Sequence, residues 1–200
     1  FINGGLIVFI FIFLHKNNAQ FYLAPLLLIA LGIFLFGRFC YRAYKERIRK
    51  KVDEQVKMSL LSVVMMILPI IFLFFSILLL MLTASENIRL IISYGFVLFF
   101  GWITAIILGM TFKTLPFIVW NKVYHHLAGK QKTPNPKDLF NASVFKWMSL
   151  SFIAGFTLFV CAVLLRISFM LKPAAALLLI TAFLYNWNVL KLIFHKPALV

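Results

Sequence analysis

The chain has 200 residues, 64% of them hydrophobic and 12% charged, with a mean hydropathy of +1.02. Soluble domains carry about 25% charged and 45–50% apolar residues, so this composition excludes a water-soluble globular fold. The formal net charge of +15 would raise nucleic acid as a partner for a soluble protein, but basic residues between apolar spans orient helices in a membrane, and no nucleic acid is expected.

Six apolar segments follow in chain order, at about 1–14, 21–39, 58–82, 88–112, 144–165 and 173–194. About 20 consecutive apolar residues cross the hydrocarbon core. The reading is an all-α polytopic transmembrane helical bundle of about six spans, forming one membrane domain over 1–200. The chain opens at Phe1 inside an apolar run with no basic leader and no small-residue cleavage site. We therefore expect a fragment whose first span is truncated. No strand alternation, heptad array or fixed-period repeat is present.

The gaps at 40–57 and 113–143 are basic and are expected to be cytoplasmic loops. With each Lys and Arg assigned to the nearest gap, the gaps after the second and fourth segments and the C-terminal end hold eight, six and two. The alternate gaps hold one, one and two, so sixteen face four. The richer side is expected to be cytoplasmic, which places the C-terminus inside a bacterial inner membrane and runs the first helix outward. The basic stretch from Arg38 to Lys57 has neither Gly nor Pro and is expected to extend the second helix before turning back. Glu46/Lys50 and Asp53/Lys57 stand four apart with the acid first, the favoured order for a helical pair. The stretch could bind anionic lipid head groups at about 1 kcal/mol per basic residue, or only set topology.

In the third segment Pro69 is expected to kink the helix. In the fourth, Gly101, Ala105 and Gly109 repeat at four-residue spacing, with Ser93 further back beyond Val97. Such a flat stripe lets another membrane helix approach closely, and Ser151 and Gly155 offer the same spacing in the fifth. In the sixth, Asn186 lies only about 4 Å from the middle of its span. An amide at that depth needs a hydrogen-bond partner, either as glue between helices or as a contact to a ligand.

All four histidines and all five acids lie in loops or at segment ends. Proton relays, coupling-ion sites and metal centres place such residues inside the bundle, so no catalytic, metal or cofactor-binding residue is assigned. Adjacent His125 and His126 point about 100° apart on a helix and make a poor metal clamp. Gly129-Lys-Gln-Lys-Thr133 lacks the first glycine and the ending of a phosphate loop. Asn141-Ala-Ser143 fits a glycosylation acceptor, on the wrong side of the membrane for it. Cys40 and Cys161, at the ends of different spans, are not expected to pair. The stretch 132–138 is a proline-punctuated turn.

From Leu90 to Trp120 the only charge is Lys113. As one helix this stretch would reach roughly 46 Å, against a hydrocarbon core of ~30 Å. Pro116 removes a backbone donor, so the helix is expected to kink or end near Lys113, with Trp120 at the interface. Lys113, Pro116, Trp120 and Asn186 are the candidate functional residues.

The motif Gly101-Trp102, Gly109-Met-x-Phe-Lys-x-Leu-Pro-Phe-Ile-Val-Trp120 and Pro134-x-Pro-Lys-Asp-Leu139 resembles bacterial multi-span proteins similar to subunit I of cytochrome c and quinol oxidases, or to haem-copper membrane proteins of nitric oxide metabolism. The resemblance covers about 95–140. It implies a respiratory or nitrosative-stress role, non-catalytic in this fragment, with any haem belonging to a part before Phe1. Where that family's helix can carry a histidine, this chain has Ser93-Tyr94, and no ligand is carried over. The alternatives are a small-molecule or lipid transporter, with the fourth helix and Asn186 along its path, and a structural subunit docking partners through the basic loops.

Overall fold

In lipid a backbone can satisfy its hydrogen bonds only within the segment or in a closed barrel, and the apolar segments among the described residues take the first route. The computed structural model describes residues 1–15, 19–47, 52–83, 87–127 and 133–196, and among these there is no strand. The helices are α1 (Ile2–His15), α2 (Leu23–Lys45), α3 (Glu54–Met65), α4 (Ile67–Thr83), α5 (Ile88–Phe96), α6 (Thr104–Tyr124), α7 (Ala142–Leu164) and α8 (Leu171–Ile193). A π-helical turn, Val97–Ile103, carries α5 into α6 without a break.

Among the described residues, five helical stretches are long and apolar enough to cross a membrane: Gln20–Lys45, Glu54–Thr83, Ile88–Leu127, Ala142–Leu164 and Ser168–Ile193. α1, with 14 residues, covers about 21 Å and falls short of the ~30 Å core. Many large apolar side chains are exposed, among them Leu82 at 76%, Leu179 at 73% and Phe183 at 65%. Exposed apolar surface on that scale needs lipid around it. The fold is an all-α polytopic helical bundle, and the chain is an integral membrane protein.

Helix ends depart from the ends of the apolar runs. α2 runs on to Lys45 and α3 starts at Glu54. The Glu46/Lys50 pair involves Lys50, outside the described residues. The Asp53/Lys57 pair does not form. Lys57 Nζ instead meets Glu54 at 2.7 Å, and Asp53 takes Lys137 at 3.7 Å. Asp53 stands ahead of the first helical turn, where its carbonyl accepts the amides of Val56 and Lys57, so the four-residue helical geometry is not available to its side chain.

The two prolines behave differently. Pro69 leaves the carbonyl of Met65 without a donor, and the helix divides there, between α3 and α4. Of the two outcomes expected at Pro116, a kink or a helix end, the end does not occur. α6 passes through it to Tyr124, and helix extends over much of the first half of the expected loop at 113–143. One lost hydrogen bond is tolerated because Phe112, Pro116, Val119 and Tyr124 bury a single continuous face.

The chain packs as two compact units, one of Phe1–Val52 with Leu60–Thr104, the other of Asp53–Ser59 with Ala105–Val200. In the first, α1 lies on α2, and α4 contacts both α2 and α5. In the second, α7 and α8 form a tight hairpin. Ser151 Oγ donates to the Leu177 carbonyl across it at 2.9 Å. Gly155 makes the approach close, because a Cβ there would lie 3.0 Å from Leu177 Cβ and 3.2 Å from the Ala174 carbonyl. The hairpin turn caps α7 with the Leu165 amide on Cys161 O and the Ile167 amide on Ala162 O, both 2.9 Å. Between them Arg166 takes a left-handed conformation, φ 62°, the position at which such caps usually hold glycine.

Candidate functional site

The face of the fourth apolar segment that carries its small residues is buried. Ser93, Val97, Gly101, Ala105 and Gly109 are all buried, the first three in the first unit and the last two in the second. Gly109 meets the start of α3. A Cβ at this position would fall 2.8 Å from the Ser59 amide nitrogen and 2.9 Å from the Gln55 carbonyl oxygen. No side chain fits there, and that close approach brings the 53–59 segment alongside the next turn of α6.

That turn carries Lys113. Lys113, Pro116, Gln55, Asp53 and Lys137 line a cleft of about 240 Å³ whose remaining walls include Phe112 and Phe117. Each wall is held by something specific. Phe112, 1% exposed, is ringed by Phe140, Phe145 and Tyr185 with centroids 5.2–5.7 Å away, and Thr111 Oγ1 lies 3.2 Å from the Tyr185 hydroxyl. Trp120 Nε1 donates to the Pro134 carbonyl at 2.7 Å. That bond ties the segment after it to α6, and the single 3-10 turn Pro136–Asp138 then sets Lys137 at the cleft, opposite Asp53.

The polar groups of the cleft are unevenly matched. Asp53 and Lys137 are both about half exposed, so their pairing is worth at most about 1 kcal/mol. Lys113 has no ion pair or hydrogen bond among the described residues. Gln55 is only 8% exposed, and its side-chain amide likewise has no hydrogen-bond partner among them. Two lysines and one aspartate leave the lining one positive charge in excess, next to an uncommitted amide.

Of the candidate residues, Lys113 and Pro116 line this cleft and Trp120 braces it. Asn186 lies elsewhere. It is exposed on α8, and its amide donates to the Ala182 carbonyl of its own helix at 2.8 Å, so the interhelical role expected of it is not what it performs. Asn188, fully buried, performs that role. Its side chain accepts from the Asn141 amide at 3.0 Å and donates to the Asn141 carbonyl at 3.1 Å. Two residues along a helix turn the side chain by about 200°, which separates the two asparagines. Asn141, considered above as a glycosylation acceptor, is the N-cap of α7, its side chain accepting from Ser143 and Val144.

Sequence reasoning missed Asp53, Gln55, Lys137 and Asn188 as site or clasp residues. The proline turn at 134–136 was the available signal for Lys137, and the sequence carries none for Asp53, Gln55 or Asn188. His125 and His126 are both exposed in a 3-10 turn, and among the described residues no group of three His, Cys, Asp or Glu side chains could hold a metal ion. The phosphate-loop-like stretch 129–132 lies outside the described residues. No family model matches the chain, and no curated protein or solved structure matches it.

Proposed function

We propose that this chain is a non-catalytic membrane protein that holds an anionic group in the Lys113 cleft, at the cytoplasmic face of a bacterial inner membrane. The observation that carries the reading is Lys113 itself, the one charge in a long apolar stretch, lining a cleft in which no carboxylate answers it. A phosphate or carboxylate placed there neutralises the excess charge and engages the Gln55 amide. Charge-assisted hydrogen bonds of this type are about twice as strong as neutral ones.

Ligand at about 100 times its Kd stabilises a folded protein by about 2.7 kcal/mol. Thermal unfolding of the purified protein in neutral detergent is therefore expected to shift upward by several degrees with inorganic phosphate or with a dispersed anionic lipid. Lys113→Gln should remove the shift. If neither probe moves the unfolding midpoint of the native protein, the cleft does not bind anions and the proposal fails.

The orientation is supported by the sixteen-to-four distribution of basic residues. A cysteine placed at Lys132, with Cys40 and Cys161 replaced, should resist a membrane-impermeant reagent added outside intact cells, and ready labelling would reverse the orientation. On the same side, Arg38, Arg42 and Lys45 are exposed on the last turns of α2 and are suited to anionic head groups.

The 95–140 pattern supports a second reading, a respiratory or nitrosative-stress role as a relative of oxidase subunit I-like proteins. Its Gly101-Trp102 lies in the π-helical turn 97–103, a distortion that often marks functional positions in helices. A haem-type absorption spectrum from the purified protein would favour it, whereas a colourless, metal-free preparation ends its cofactor-binding form. The transport reading loses one of its supports, because the Asn186 amide is engaged by its own helix.

A further inference from the structure

We infer that the occupant of the Lys113 cleft is the head group of an anionic glycerophospholipid, its phosphodiester on Lys113 and Gln55 and its acyl chains over Phe117. The inference rests on the cleft binding an anion at all, and it adds the chemical class and the direction of entry.

Four observations converge on a lipid. The first is the composition of the walls. Lys113, Gln55 and the Asp53–Lys137 pair offer polar contacts, while Phe112, Pro116 and Phe117 offer none. A small free anion would gain Lys113 and Gln55 but lose hydration against the apolar walls, whereas a lipid presents an apolar portion to match them. The second is what lies beside the cleft. Phe117 and Ile118 are 59% and 60% exposed, an apolar surface that would seat an acyl chain leaving the cleft. The cleft volume suits a head group and not a whole lipid.

The third is depth. Between Arg89 and Lys113 there are 23 residues without a charge, about 35 Å of helix. That is slightly more than the ~30 Å hydrocarbon thickness, so with Arg89 at one interface Lys113 reaches the phosphate level of the other. The fourth is hydrogen bonding. Gln55 is a buried residue, 8% exposed, whose amide keeps contact with the cleft and has no hydrogen-bond partner among the described residues. An amide can donate to a phosphodiester oxygen and accept from a head-group hydroxyl.

The sign of the head group follows from the charges. One excess positive charge is neutralised by a single phosphodiester. A zwitterionic head group would bring its own ammonium, which would have to displace Lys137 from Asp53 and would leave the excess in place. The Asp53–Lys137 contact, 3.7 Å and half exposed, is loose enough for Lys137 to turn toward the phosphate.

The test is thermal unfolding in neutral detergent with three probes added separately: dispersed phosphatidylglycerol, dispersed phosphatidylcholine and inorganic phosphate. Phosphatidylglycerol should raise the midpoint, with the other two well behind it. Lys113→Gln, and independently Gln55→Leu, should weaken apparent phosphatidylglycerol binding about fivefold to tenfold, in line with the worth of one surface cation against an anionic lipid. Lys137→Gln, at an exposed position in the 3-10 turn Pro136–Asp138, serves as a second charge variant should either of these fail to fold. A Lys113-dependent response to inorganic phosphate as large as that to phosphatidylglycerol would overturn the lipid assignment while leaving anion binding intact. Equal responses to the two lipids would overturn the inference as well. Silence from all three probes would remove the underlying reading.

Discussion

Gly109→Leu is expected to be among the most destabilising single substitutions in the described part of the chain. A Cβ alone would sit 2.5 Å from Ser59 Oγ, 2.8 Å from Ser59 N and 2.9 Å from Gln55 O. The hydroxyl can rotate away, but the two backbone atoms cannot, so α3 and α6 must separate. Overpacking a tight contact costs typically 1–3 kcal/mol, and loss of the close helix approach adds to that, so about 3 kcal/mol or more is expected. Reversible unfolding of the purified protein, followed by helical circular dichroism during titration into a denaturing detergent, reads the loss. Gly95→Leu is the control. Nothing lies within 4 Å of a Cβ at Gly95, and removing a helical glycine contributes up to about 1 kcal/mol. The same replacement should therefore act with opposite sign at the two glycines. Equal effects would show that α6 does not sit against α3 as described. The Gly109 variant should also lose ligand response at the Lys113 cleft, because the 53–59 segment supplies part of its lining.

The second large effect is expected at Asn188. Leucine there removes both hydrogen bonds to Asn141 and leaves the Asn141 amide without its acceptor; the Asn141 carbonyl keeps the Phe145 amide at 3.0 Å. An unsatisfied backbone donor costs about 1–3 kcal/mol, and interhelical hydrogen bonds in membranes are worth roughly 0.6–2 kcal/mol. A loss of about 2 kcal/mol is expected, a shift of several degrees for a chain of this size. Asn186→Leu should be neutral or slightly stabilising, since its amide bonds only its own helix and its side chain faces outward. Parallel thermal unfolding of the two variants by size-exclusion chromatography after heating separates them. A larger loss at position 186 would mean that the rotation of α8 is wrong.

The contrast between these asparagines shows what a membrane sequence discloses. The existence of the helices is legible because lipid leaves the backbone few alternatives. Their ends are less so. Lys113 and Lys122 interrupt the apolar run but are good helix formers, so α6 continues past the point where hydropathy falls. Rotation is hardest to read, because the lipid-facing side of each helix is as apolar as its packed side. In a soluble helix the polar face would have told Asn186 from Asn188. Lys113 was legible as a lone charge in an apolar stretch. Its partners were not. Gln55 precedes the Gly109 contact by more than fifty residues, and only the folded approach of α3 to α6 brings it near.

The turn between α7 and α8 has a consequence for where the hairpin sits in the bilayer. Arg166 occupies a left-handed position that glycine would take without strain, and a side chain there costs roughly 1 kcal/mol. Arg166→Gly should therefore leave the hairpin fold unharmed, yet it would remove the charge closest to its tip. A guanidinium resists immersion in hydrocarbon by about 2.5–3.5 kcal/mol or more, which exceeds the backbone strain. Arg166 is thus expected to act as a float, holding the tip at the water boundary and, with Lys146, Lys172 and Lys191 near the other helix ends, limiting how far the two helices can slide along the membrane normal.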